Sequence, residues 1–194
     1  MKDLKPEQGR VGMTSLDVGT LAVLSVEDAD TADETGVLAG NQHYQDLQLC
    51  DATDLDAVLA FEETLLIAFR AGPDAAMAER QFDSERPLED DRAALWHLDV
   101  GVASAVIALV VLGAHPVLSC NGGVFGNPHT FPKPQIQTYL GAADLKIIEA
   151  NARHAGVRLD QADGLVILTA ASCDAFIAFA RQALSEARVS PETL

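Results

Sequence analysis

Val100 to Ala114 is fifteen residues long and carries no charge, with Ser104 as its one polar side chain. Such a segment has no face to offer water. A helix that is apolar all round has to be covered on several sides. A helical membrane span needs about 20 apolar residues, and this run is hemmed in by Asp99 and His115. The reading is therefore a central core helix, expected to begin near Asp91, pass through Trp96 and end at Gly113. Gly101, Ala103, Ala105 and Ala108 would let neighbouring elements approach it closely. A chain of 194 residues can bury roughly 70% of its unfolded surface, enough for a core without a disulfide or metal staple.

The residues after this run read clearly. From His115 the chain is briefly extended, and Pro134 to Leu140 alternates as a strand, with Ile136, Thr138 and Leu140 on one face and Gln135, Gln137 and Tyr139 on the other. Ala143 to Ala155 is a helix with Leu145, Ile148, Ala152 and Ala155 in a stripe, closed by Gly156. Val157 to Thr169 is a hairpin turning at Asp163-Gly164, a pair suited to the positive φ values of a two-residue turn. In that register Ala162 faces Leu165, Leu159 faces Leu168, and Val157, Leu159, Val166 and Leu168 share one apolar face. The last helix starts at Ser172 or Cys173 and buries Phe176, Phe179, Ala180 and Ala183. The order helix, strand, strand, helix, hairpin, helix describes an α+β fold. It has a mostly antiparallel sheet of about four strands with helices on one face.

Ahead of it lies an acidic, mainly helical region. Residues 1–90 and 91–194 are expected to form one compact unit. Thr20 to Val26 suits a short strand, followed by an acidic loop from Glu27 to Gly36. A helix follows Asp51-Ala52-Thr53, with Thr53 as its cap, and runs to Gly72-Pro73. On it Leu55, Val58, Leu59, Leu66 and Phe69 form the buried face, while Glu62 and Glu63 are assigned to solvent. Asp74 to Phe82 is a second helix, and Asp83 to Asp91 a connector.

The formal net charge is −16, and residues 1–100 hold 22 acidic against 7 basic side chains, a net of −15. A field of that sign repels phosphate backbones and anionic membranes, so nucleic-acid and membrane partners are not expected. A basic protein partner or a small-molecule ligand fits better. Three scattered cysteines, Cys50, Cys120 and Cys173, argue for a reducing, cytoplasmic setting.

Chemistry concentrates in the loop 119–134, which mixes glycines and prolines with a cysteine, two asparagines and a histidine. The first expectation is a binding or interaction protein that uses this loop and the acidic N-terminal surface. Asn121, Gly122, Gly123, Asn127, Gln135, Gln137 and Tyr139 are its candidate binding residues. The alternative is a cysteine-dependent hydrolase or transferase, with Cys120 as nucleophile, His129 as base and Asp99 orienting the imidazole. In that reading the Gly122 and Gly123 amides stabilise an oxyanion. Zinc sites bring cysteines and histidines in close pairs. Cys120, His115, His129 and Cys173 form no such pair, so no metal and no cofactor are expected.

Overall fold

The computed structural model describes Leu16, Leu21 and residues 47–86, 95–141 and 143–189. The expected strand at 20–26 and the acidic loop at 27–36 lie outside these residues, apart from Leu21. Helix α1 spans Ala52–Ala71 and α2 spans Ala75–Glu85. Helix α3 (Ala103–Val111) leads into strand β1 (His115–Cys120), and β2 (Gln135–Tyr139) follows the long loop. Then come α4 (Leu145–Ala155), the hairpin strands β3 (Arg158–Ala162) and β4 (Leu165–Thr169), and α5 (Cys173–Val189). No helix among the described residues is long and apolar enough to cross a membrane.

Every residue of α3 is buried, and the helix packs against α1, α5 and β1. It is shorter than the sequence pattern predicts. Leu95–His97 form a 3-10 turn, and Leu95, His97 and Gly101 all have positive φ. A right-handed helix cannot pass through such residues, so the apolar run is helical only from Ala103. Gly101 is obligatory: its φ is +100°, and a Cβ there would collide with Cys173.

The start of α3 carries no side-chain cap of its own, because its N-cap residue is Val102. Glu62 of α1 supplies the cap from a neighbouring helix. Its Oε1 accepts from the amides of Gly101 (2.6 Å) and Ala103 (2.9 Å), and its Oε2 from Ser104 (2.9 Å). The expectation that Glu62 faces solvent is therefore wrong: it is 0% exposed. Helical spacing puts it on the same face as Leu55, Val58, Leu59, Leu66 and Phe69. Only its charge argued otherwise. Glu63, one position round the helix, is partly exposed and pairs with Arg181 at 2.6 Å.

The cap of α1 is also corrected. Asp51, not Thr53, accepts from the amides of Thr53 and Asp54, while the Asp54 carboxylate returns to the Asp51 amide. This reciprocal box satisfies donors at both ends of the turn. Helix α2 is capped by Asp74 and runs to Glu85, into the stretch read as a connector.

The sheet is antiparallel throughout, in the order β1-β2-β4-β3. β3 and β4 pair with Ala162 opposite Leu165 and Leu159 opposite Leu168, as the Asp163-Gly164 turn demands. Val157, Leu159, Val166 and Leu168 are all buried with Ile136, whereas Leu165 and Ile167 are half-buried. β1 has an irregularity between Pro116 and Leu118. Pro116 has no amide to donate, and it sits on an edge strand, where that is tolerated. The extra residue shifts the register so that Cys120 ends the ladder opposite Gln135.

Two outcomes test this packing. Val166→Asp should cost more than about 4 kcal/mol, and Ile167→Asp roughly 1 kcal/mol, by chemical denaturation; the reverse order would overturn the register. Burial, partly offset by hydrogen bonds from Ser104, Gly101 and Ala103, raises the Glu62 carboxyl above its ordinary value of 4.5. The folded chain thus binds this proton more tightly than the unfolded one. Its contribution to stability is full below about pH 4.5 and is lost as pH rises through the folded value. Relative to wild type, Glu62→Gln should therefore gain stability as pH rises from about 4.5 through the folded value. Glu62→Ala, which orphans three buried amides, should lose about 2–4 kcal/mol throughout.

Candidate functional site

Four segments meet where the long loop leaves β1. Cys120 is the last residue of β1, and His129 stands nine positions further on. Asp99 lies just ahead of the capped turn into α3, and Glu79 comes from the middle of α2. The loop is closed at its base by Gly122, whose φ is +71° and whose missing side chain leaves room for the backbone of Lys133 and Pro134. Any Cβ at Gly122 would push those strands of chain apart.

The expected meeting of Cys120, His129 and Asp99 does occur. Cys120 Sγ lies 3.6 Å from His129 Nδ1, and Asp99 Oδ2 lies 3.2 Å from the same nitrogen. The three ligand-type atoms are all within 4.8 Å of one another, and this is the one such group among the described residues. The arrangement differs from a nucleophile–base–orienter relay in one respect. In a relay the orienting carboxylate holds the nitrogen opposite the nucleophile, yet Asp99 is on the nucleophile's side.

The group facing the opposite nitrogen is Glu79, with Oε1 3.6 Å from His129 Nε2. Sequence reasoning missed it. Glu79 is the one fully buried side chain on α2, 4% exposed, and its partners all come from the loop. Asn121 Nδ2 donates to its Oε1 at 2.7 Å, and Asn127 Nδ2 donates to its Oε2. Asn127 also donates to the Ala76 carbonyl and accepts from Arg80, which fastens the loop to α2. Phe125 adds an edge-on contact to Phe69 of α1, with ring centres 5.2 Å apart.

The remaining candidates take defined places. Asn121 is buried, its amide donating to Asp99 Oδ2 (3.0 Å) and its side chain to the Val100 carbonyl (3.2 Å). The Gly122 amide donates to Cys120 Sγ at 3.3 Å, and the Gly123 amide to Asn121 Oδ1 at 2.9 Å. Both amides read as oxyanion donors are thus turned inward. Gln135 sits beside Cys120 in the ladder. Gln137 and Tyr139 run away along β2 to the far end, where Tyr139 pairs with His115. His115 is buried there, with burial lowering its pKa, and it does not join the Cys120 group.

Cys173 stands apart as well, packed against Gly101 at the head of α5. Burial, reinforced by the Glu62 carboxylate, pushes its thiol up to about 12. At neutral pH that leaves about one thiolate in 10⁵ molecules. Native Cys173 should consequently resist a mild alkylating agent near pH 7 and react only on denaturation, as mass spectrometry of labelled peptides would show. Comparison with protein-family models, curated proteins and solved structures finds no match to this chain.

Proposed function

We propose that this is a binding protein whose ligand site is the cluster formed by the 119–134 loop with Asp99 and Glu79. The observation that supports it is the inward commitment of the loop. Cys120 is 4% exposed, and the Gly122 and Gly123 amides are engaged by Cys120 and Asn121. Acyl transfer needs a reachable nucleophile and donors aimed at the developing oxyanion. Neither is on offer, whereas the Asp99 (32% exposed) and His129 (18% exposed) side chains are partly open to solution.

The charge distribution supports a basic protein over a nucleic acid as any macromolecular partner. The three scattered cysteines support a reducing, cytoplasmic setting. A second reading, the cysteine-dependent enzyme, is favoured by the 3.6 Å approach of Cys120 to His129, with Glu79 rather than Asp99 orienting the ring. Alkylation separates the two. Under the binding reading Cys120 of the native chain stays unlabelled until denaturant is added. Rapid, selective labelling of Cys120 that is abolished by His129→Ala would replace it with the enzyme.

A further inference from the structure

We infer that the ligand of this cluster is a divalent transition-metal ion of the zinc type, bound by Asp99 Oδ2, Cys120 Sγ and His129 Nδ1. The inference rests on the binding reading above and names its ligand.

The donor set is the first argument. One thiol sulfur, one imidazole nitrogen and one carboxylate oxygen form a mixed set that suits zinc or cobalt(II). Magnesium and calcium require oxygen ligands and avoid sulfur.

The second argument is distance. Zinc–sulfur bonds of about 2.3 Å and zinc–nitrogen or zinc–oxygen bonds of about 2.05 Å fix the edges of a tetrahedral site. Those edges are about 3.6 Å from sulfur to nitrogen and about 3.3 Å from nitrogen to oxygen. The corresponding separations here are 3.6 Å for Cys120 to His129 and 3.2 Å for His129 to Asp99.

The third argument is convergence on one nitrogen. His129 Nδ1 carries at most one proton, yet a sulfur and a carboxylate oxygen both converge on it. A cation at their common centre satisfies all three atoms together.

The surroundings supply the fourth. A metal-bound histidine usually turns its other ring nitrogen to a carboxylate or carbonyl, which fixes its tautomer. Glu79, buried and held by Asn121 and Asn127, occupies that place. The sulfur accepts from the Gly122 amide and Asp99 Oδ2 from the Asn121 amide, so each ligand has its own supporting partner. Three protein ligands leave a fourth position to water or to a molecule from solution. That is the arrangement of reactive or sensing zinc sites, while structural sites are closed by four protein ligands.

The test uses the full-length protein, stripped with a chelator and titrated with Zn²⁺ alone and with Co²⁺ alone. One ion should bind per chain, and Co²⁺ should give a thiolate-to-metal charge-transfer band with visible bands of tetrahedral intensity. Cys120→Ser should abolish the charge-transfer band, whereas Cys50→Ser should keep it. Asp99→Asn and His129→Ala should each weaken Zn²⁺ binding. Glu79→Gln should weaken it about 10–100-fold while keeping the thiolate band, since the ligands themselves remain. The wild-type Co²⁺ spectrum is decisive even if a variant fails to fold. A chain that binds no ion more tightly than Cys120→Ser does, or a Co²⁺ complex without a thiolate band, overturns the metal. If Cys120 also stays unreactive, the binding reading survives with another ligand; alkylation of Cys120 that depends on His129 overturns both.

Discussion

The structure depends on Glu62. A nine-residue apolar helix buried at the centre of a domain brings orphan amides into a place without water. Each unsatisfied donor there costs about 1–3 kcal/mol. A lone carboxylate carried inward on α1 would be costlier still. The two problems solve each other when Glu62 meets the amides of Gly101, Ala103 and Ser104. This contact fixes where α3 begins, and so fixes the path of Asp99 and Val100 just before it. It also explains why Gly101 and Cys173 are packed face to face: the head of α5 closes over the same turn.

The consequences run outward to the loop. Asn121 reads the position of that turn twice, through its amide on Asp99 and its side chain on the Val100 carbonyl. Glu79 then repeats on α2 what Glu62 does on α1. It is a buried acid placed among donors, here Asn121 and Asn127. The aromatic contacts of Phe82 with Phe61 and Phe69 hold α2 against α1, so Glu79 is presented to the loop from a fixed base. A cluster built from loops needs such backing. Binding groups hold their geometry only when their own partners are fixed.

This scaffolding bears on function more than the cysteine does. A reactive thiol needs exposure and free donors, whereas Cys120 is enclosed and its neighbouring amides face inward. An ion site needs convergent donors and a supported histidine, and the four segments bring Cys120, His129 and Asp99 together with Glu79 behind the ring. The acidic character of residues 1–100 is a separate property of the sequence. Among the described residues its contribution to the cluster is Asp99 and Glu79.

Much of the fold was legible because its signals are local. The Asp163-Gly164 turn, with φ values of 53° and 79°, sets the hairpin register. Alternation in 135–140 and the stripes of α4 and α5 assign their faces without reference to anything distant. The loop's chemistry was legible too, since Cys120, His129 and their asparagines lie within a few residues of one another. What the sequence could not show is what the two buried acids decide. Charge alone assigns Glu62 and Glu79 to water, because an isolated carboxylate is costly to bury. That cost disappears only through partners 39 to 48 positions away in the chain. The short extent of α3, the side of His129 on which Asp99 stands, and the meeting of three ligand atoms all follow from those long-range contacts. Periodicity places Glu62 on the buried face of its helix but does not name these distant partners, and so the tertiary structure alone decided them.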